Sequence, residues 1–214
     1  MGEVIKIEKK IVGWRVEQEE AGKVQRSKLI VESHAPKRPL ELSCDIHKAS
    51  VKGEMWTIVV GILNGSPYEI MGGLSEYIDI PSKYTNGMLI KRPRKTINAR
   101  YDLKFGENGD EILLKDVVSI FDNPNHGSLT RMISMSMRHG VPTQYIVEQL
   151  QKDKHSDMFS LSRVIARVLK KYISDGTKAG NNYSNCSCED KEDCNYVYQG
   201  GCVSCTTCGF SACG

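Results

Sequence analysis

The sequence lacks long apolar runs. None of its 214 residues belongs to a stretch approaching the roughly 18 consecutive apolar residues that a membrane-spanning helix needs. The first residues, Met1-Gly2-Glu3-Val4, also lack the apolar core typical of a secretory signal peptide. We therefore expect a cytoplasmic protein with no membrane partner.

A strong excess of one charge is also missing. The net charge is only +3, and hydrophobic and charged residues make up 40% and 26% of the chain, the balance of an ordinary globular protein. Surfaces that bind nucleic acid need a dense basic patch, so nucleic acid is not the expected partner. The GxGxxG and phosphate-loop patterns of nucleotide-binding proteins are absent as well.

Cysteine is present but very unevenly distributed. Of eight cysteines, Cys44 stands alone, and we expect it to be a buried, inert thiol. The other seven all lie in the residues from 186 to 214. A reducing cytoplasm argues against a permanent disulfide scaffold there. Metal binding, redox exchange, or a combination of the two remains as the use of these thiols.

Patterning divides the chain into four predicted parts. Residues 1–36 form an extended arm and linker, and residues 37–174 form an α+β docking domain. In that domain, Asn64-Gly65 predicts a hairpin of 54–63 with 67–71, and 101–105 with 112–114 suggests another. Apolar residues at helical spacing then predict three helices, around 129–137, 145–150 and 161–172. The predicted fold is a small antiparallel sheet packed with about three helices.

The last two parts are a tether and a tail. Residues 175–185 (DGTKAGNNYSN) are rich in Gly and Asn and predict a flexible tether. Residues 186–214 form a cysteine-rich tail in which Tyr196-Val197-Tyr198 predicts a short strand leading into a Gly200-Gly201 turn. Two cysteine knuckles joined by a hairpin are the arrangement of a zinc ribbon, so we expect a zinc-ribbon-like tail.

The spacing of the tail cysteines predicts two uses. Cys202/Cys205 and Cys205/Cys208 are overlapping CxxC pairs, whose spacing suits tetrahedral zinc. We expect four of five cysteines to bind the metal: Cys186, Cys188, Cys194, Cys202 and Cys205. Cys208 and Cys213 lie next to the free chain end, where mobility would let a dithiol exchange with a disulfide elsewhere.

From about Lys37 to the end, the chain resembles the C-terminal region of adenosylcobalamin-dependent ribonucleotide reductases. The resemblance is carried by KRPLELSCDIHK, WTIVVGILNGSPYEI, GSLTRMISMSMRHGVPTQYIVEQLQKDK, FSLSRVIARVLKKY and, most specifically, YQGGCVSCTTCGFSACG. It implies a C-terminal cysteine pair that re-reduces the active-site disulfide after each turnover, a role that falls by position on Cys208 and Cys213. Thioredoxin or glutaredoxin would then restore the pair.

Two departures limit what the resemblance implies. Many relatives carry Thr-Ser-Cys-Pro-Asp where this chain has Phe159-Ser160-Leu161-Ser162-Arg163, so no role of that cysteine carries over. The family's ten-stranded α/β barrel with its radical cysteine has no room in this pattern. We therefore expect a component that is not catalytic alone, with adenosylcobalamin only in a catalytic partner subunit. A start at Met1 favours a separately encoded subunit over a fragment.

A second interpretation of the same tail remains open. All functional thiols would stay bound to zinc, and the chain would be a zinc-ribbon module that binds protein or nucleic acid without a redox cycle. A regulator that only controls assembly of a reductase is a third possibility. Zinc stoichiometry and thiol titration separate the redox relay from the purely structural ribbon.

Overall fold

The structure is a computed structural model that describes nine stretches of the chain. They are residues 35–51, 53–78, 80–93, 100–107, 109–121, 123–152, 161–180, 186–188 and 194–212. The predicted arm falls almost wholly outside them, and Cys213 falls outside them too.

Six strands of the described chain form one antiparallel sheet, in the order β3-β2-β1-β4-β5-β6. They are β1 Glu41–Val51, β2 Glu54–Leu63, β3 Ser66–Leu74, β4 Asn86–Arg92, β5 Arg100–Phe105 and β6 Ile112–Leu114. Both predicted hairpins are present, as β2-β3 and β5-β6. Asn64 and Gly65 have φ of 52° and 78°, the left-handed conformation at both turn residues that matches the twist of paired strands.

Four α-helices follow the sheet in the described chain: α1 Val117–Ile120, α2 Pro124–Arg138, α3 Thr143–Gln151 and α4 Leu161–Leu169. The Asn123 side chain caps α2 by accepting the N–H groups of Asn125 and His126. A 3₁₀ turn at Lys170–Tyr172 continues α4, so the helical backbone ends before Ile173. The predicted α+β class is confirmed.

None of the described helices combines the length and the apolar character that crossing a bilayer requires.

Strand β2 is buried on both of its faces, because side chains along a strand alternate between two sides. Ile58 and Val60 belong to a core shared with α2, α3 and α4, whereas Val59 belongs to a second core formed with β1, β4 and β5. All three side chains are fully buried. β2 is therefore the central strand on which the two cores meet.

The described part of the tail packs into the first of these cores. It forms a three-stranded sheet of β7 Tyr196–Gln199, β8 Cys202–Cys205 and β9 Ser211–Ala212. Tyr198 and Val203 are completely buried, in the same cluster as Ile58 and Ile165. The ribbon is thus part of the folded body.

The first half of the predicted tether is hydrogen bonded to β7. Tyr198 donates its N–H to the Thr177 carbonyl at 2.8 Å, and Ala179 donates to the Tyr196 carbonyl at 2.9 Å. These bonds form because β7 is an edge strand whose backbone groups need partners. They hold residues 177–179 beside the ribbon, which differs from the free linker expected from composition. Residues 181–185 lie outside the described chain.

A polar cluster anchors the end of the helical layer to the sheet. The Tyr172 hydroxyl donates to Asp45 Oδ2 at 2.6 Å, and His47 Nε2 lies 2.7 Å from the Tyr172 hydroxyl oxygen. Burial, with help from the nearby Lys171 charge, lowers the pKa of His47. A neutral His47 therefore donates to the Tyr172 hydroxyl and completes this series of hydrogen bonds. The bonds hold Tyr172 against β1, close to the point where the backbone continues toward the ribbon.

A buried ion network joins β3 to the chain before β1 and to α2. Glu69 is only 1% exposed, and its carboxylate accepts two bonds from Arg38 Nε and one, at 2.7 Å, from Arg38 Nη2. Arg138 Nη2 donates to the other oxygen at 2.8 Å. Gly61 leaves the space that Glu69 needs, since a Cβ there would lie 2.7 Å from Glu69 Cγ.

Neutralising Glu69 should destabilise the domain. Glu69→Gln leaves two guanidinium groups without their shared anion, and breaking a buried pair costs about 3 kcal/mol or more. We expect a fall of that size in the free energy of unfolding, measured by urea denaturation. The control Glu41→Gln changes an exposed carboxylate on β1 and should stay within about 0.5 kcal/mol of the parent. Equal stability of the two variants would contradict a structural role for the network.

Candidate metal centre

The two faces of β8 place its cysteines in different surroundings. Val203 and Cys205 are buried, with exposures of 0% and 1%, whereas Cys202 and Ser204 are half-buried. This alternation follows from the strand pleat, which directs residues three apart to opposite faces. Cys205 therefore points into the protein, and Cys202 points outward.

A tight turn after β8 returns the chain toward Cys205. The Gly209 N–H donates to the Cys205 carbonyl at 2.9 Å, and the Cys205 N–H donates to the Phe210 carbonyl at 2.7 Å. Gly209 has φ of 75°, a conformation that suits glycine. The turn brings Cys208 alongside Cys205, which is the geometry of a cysteine knuckle.

The backbone of this turn stabilises a thiolate. Hydrogen bonds from the N–H groups of Cys208 and Thr207 lower the pKa of Cys205 to about 6, against the raising effect of burial. The thiolate is the form of cysteine that binds a metal ion. The knuckle thus prepares Cys205 as a ligand.

Four sulfur atoms meet at this point: those of Cys186, Cys188, Cys205 and Cys208 all lie within 4.8 Å of one another. The Sγ of Cys186 is 3.5 Å from that of Cys188 and 3.2 Å from that of Cys208. Cys188 and Cys205 are separated by 3.7 Å between their sulfurs. The cluster joins the Cys186-Ser187-Cys188 segment to the cysteine knuckle that follows β8.

The donor set of the cluster suits zinc. Zn–S bonds of about 2.3 Å in a tetrahedron place the sulfur atoms about 3.8 Å apart, close to the separations in the cluster. Four thiolates and no open position are typical of a structural zinc site rather than of a catalytic one. The four cysteines can therefore hold a metal such as zinc.

The structure groups the predicted site residues differently from the sequence. Of the five predicted zinc ligands, Cys186, Cys188 and Cys205 are in the cluster. Cys208, predicted as a redox thiol, supplies the fourth sulfur although its residue is exposed. Cys194 is buried, with its Sγ 3.4 Å from that of Cys186, and it raises the pKa of Cys188 by hydrogen bonding.

The remaining cysteines behave in two ways. Cys202 is disulfide-bonded, whereas the other six cysteines of the described chain are not in a disulfide. Cys44 is 2% exposed, and its pKa is raised to about 12 by burial, with further contributions from Asp45 and Glu69. Cys44 is thus the buried, inert thiol that the sequence predicted.

The sequence left two overlapping CxxC pairs as alternatives, and the strand geometry distinguishes them. Cys202 and Cys205 lie on an extended segment, so their side chains point to opposite faces about 10 Å apart along the strand. Cys205 and Cys208 flank a turn, which is where a knuckle forms. Once a strand is assigned to Tyr196–Tyr198 and a turn to Gly200-Gly201, the next strand must include Cys202, which favours the second pair.

Comparison with known proteins now places the chain in a class. Residues 42–174, more than half of the sequence, match a family related to the C-terminal region of the class II ribonucleotide reductase NrdJ. The chain belongs to this family, described as the NrdJ homologue C-terminal domain. The match ends before the cysteine tail. No curated protein and no solved structure matches the chain.

The cluster predicts a specific pattern of metal loss. The reduced chain should hold about one zinc ion, and Cys208→Ser should weaken zinc binding by at least about 100-fold, since loss of an outer partner alone costs 10–100-fold. Cys202→Ser is the matched control, because it removes a tail cysteine outside the cluster. Zinc affinity is measured by competition with a chromophoric chelator. Undiminished affinity in Cys208→Ser would remove Cys208 from the site.

Proposed function

We propose that the chain serves a ribonucleotide reductase by re-reducing the active-site disulfide of its catalytic subunit. It acts as a C-terminal part or a separate subunit, and the catalytic subunit carries out ribonucleotide reduction. One observation supports this more than any other. In a chain of the NrdJ-related family, the tail holds a tetrathiol cluster and, outside it, a cysteine that is already disulfide-bonded.

The number of thiols supports an exchange role. A structural zinc ion takes four ligands, and the cluster supplies all four from Cys186, Cys188, Cys205 and Cys208. The tail contains seven cysteines, so three are not needed for such a site. A relay needs two thiols besides the metal ligands, and the tail contains enough cysteines to supply them.

The proposed cycle conserves electrons and atoms. A thiolate of the tail attacks one sulfur of the oxidised pair in the catalytic subunit, which breaks that disulfide and forms a mixed disulfide. The second tail thiol attacks the mixed disulfide, releases the other subunit's thiol and leaves the tail oxidised. A dithiol protein such as thioredoxin or glutaredoxin then reduces the tail, and its own pair becomes oxidised.

The domain of residues 42–174 provides the body from which the tail acts. Its described strands form an antiparallel sheet, which is different from the α/β barrel on which the family's radical chemistry runs. We therefore assign nucleotide binding and the adenosylcobalamin requirement to the catalytic partner. The relay belongs in the cytoplasm, where thioredoxin-type donors keep thiols reduced.

A non-redox zinc-ribbon module is the second candidate. It is favoured by the burial of the ribbon in the core of the body and by the position of Cys208 among the metal-binding thiols. Under this alternative, the tail would bind a protein or nucleic acid and would take no part in electron transfer. The Cys202 disulfide would then be a permanent staple.

Turnover with two different reductants distinguishes these functions. Cys213 belongs to any exchange pair at the chain end, so Cys213→Ser should lower deoxyribonucleotide formation with thioredoxin by about tenfold or more. With dithiothreitol, which reaches the active site directly, activity should remain within about twofold of the parent. The assay combines the chain with its class II catalytic subunit. Ser211→Ala, two residues away, is the matched control.

The second candidate predicts a different outcome. If the tail is only structural, Cys213→Ser and Ser211→Ala give the same activity with both donors. A loss of activity with both donors would mean that the substitution disrupts assembly. Only a loss of activity with thioredoxin, without a loss with dithiothreitol, supports the relay.

A further inference from the structure

We propose that a cavity between β3, α1 and α2 binds a small organic oxyanion, with the anionic group on Arg138 and an apolar body against Phe121 and Val118. The cavity has a volume of about 540 Å³, within the range of small-molecule sites. It lies in the α+β body, and the site needs neither the tail cysteines nor a catalytic partner. The inference therefore goes beyond the proposed relay.

Short side chains on one face of α2 keep the cavity open. Gly127, Thr130 and Ser134 line it, at the three- and four-residue spacing that places side chains on the same side of a helix. Ser134 Oγ accepts the N–H of Ile70 at 2.9 Å and donates to the Thr130 carbonyl at 2.7 Å. These bonds hold α2 beside strand β3, and the three short side chains leave space between the two elements.

The apolar wall of the cavity is formed by the segment that joins α1 to α2. Phe121 lines the cavity and packs over Gly73 of β3, where a Cβ would lie 2.8 Å from Phe121 Cδ1. Phe121 is buried, whereas Val118, which also lines the cavity, is 39% exposed. A buried aromatic ring with an exposed apolar residue at the mouth suits the apolar part of a ligand.

Arg138 supplies hydrogen-bond donors at one end of the cavity. Its Nη2 donates to Glu69 Oε2 at 2.8 Å, and its guanidinium lies 5.0 Å above the ring of Tyr68. Within the described part of the chain, the buried Nε of Arg138 has no hydrogen-bond partner. A guanidinium has five N–H donors in a planar fork that matches phosphate and carboxylate oxygens. Arg138 thus keeps donors for a ligand while Glu69 and Tyr68 hold it in position.

The charges around the cavity favour an anion. Three guanidinium groups, those of Arg38, Arg131 and Arg138, lie beside two carboxylates, those of Glu69 and Asp116. Arg38 makes three of the hydrogen bonds to Glu69, so this carboxylate is largely neutralised by Arg38. A positive charge on Arg138 is left, which an oxyanion complements through charge-assisted hydrogen bonds.

Arg131 adds a second cation at the mouth. It is exposed, lines the cavity and donates from Nη2 to Ser128 Oγ at 3.2 Å. Gly127 makes room for it, since a Cβ there would lie 3.3 Å from Arg131 Nη1. Seven residues separate Arg131 from Arg138, about 10 Å along the helix axis. An apolar body therefore fits between the two cations.

An NMR titration of the full ¹⁵N-labelled chain tests the site. Phenyl phosphate and benzoate carry both parts of the proposed ligand, whereas inorganic phosphate and phenol each carry one part. We expect saturable shifts at the amides of Gly72, Ser119 and Gly127 with phenyl phosphate or benzoate. The tighter of the two should bind at least about tenfold more tightly than either single part, and it identifies the oxyanion as phosphate or carboxylate.

Two variants separate the parts of the site. Arg138→Lys keeps the charge but loses the planar fork, so it should weaken binding by about tenfold. Arg167→Lys, at an exposed position of α4 outside the cavity, is the matched control and should stay within about twofold of the parent. Val118→Trp fills the mouth and should weaken binding by at least about tenfold with an unchanged melting temperature, since Val118 is exposed.

Three results would overturn the inference. The first is the absence of saturable shifts at the cavity amides with either oxyanion up to about 10 mM. The second is binding of inorganic phosphate as tight as that of phenyl phosphate and benzoate. The third is parent-like affinity in Val118→Trp. Mapping on the parent chain decides the location of the site even if Arg138→Lys folds poorly.

Discussion

The pleat of a single strand, β8, separates the thiols of the tail into two kinds. Cys205 faces the protein interior and meets the sulfurs of Cys186, Cys188 and Cys208, whereas Cys202 faces outward at the other end of the strand. Because a strand cannot direct residues three apart to the same side, no single metal ion can take both Cys202 and Cys205 while β8 persists. The metal chemistry and the proposed thiol exchange are therefore kept apart by backbone geometry.

The position of that strand depends on the body of the domain. Val203 and Tyr198 are fully buried against the core that β2 shares with the helices, and residues 177–179 pair with the free edge of β7. A ribbon held in this way presents one fixed outward face. The proposed relay therefore works by bringing the catalytic subunit to that face, rather than by swinging the whole tail on a long linker.

Much of the fold follows from local signals in the sequence. Asn64-Gly65 determines the β2-β3 hairpin because left-handed backbone at both turn positions costs little for these residues, and the helical spacing of 161–172 identifies α4. Strand β4 was not predicted, since its short segment shows no clear alternation and gains its burial from β1 and β5 on either side. The Arg38–Glu69–Arg138 network joins residues distant in sequence, so no local sequence pattern predicts it.

The candidate site was only partly predictable for a related reason. Composition identifies the cysteine tail, and spacing identifies two overlapping CxxC pairs, but spacing does not state which pair flanks a turn. The Gly/Asn-rich composition of 175–185 likewise indicates an absence of side-chain packing, yet the backbone of Lys178 pairs with β7. In both places, the deciding information is the backbone conformation, which depends on long-range packing rather than on residue type.

The separation of metal ligands from exchange thiols is the central claim, and X-ray absorption at the zinc edge tests it most directly. Spectra of the zinc-loaded chain are compared in the diamide-oxidised and the thioredoxin-reduced states. The account predicts four sulfur neighbours at about 2.3 Å in both states, with no change in coordination. A loss of one sulfur neighbour on oxidation would show that a metal ligand takes part in the exchange, and would contradict the account.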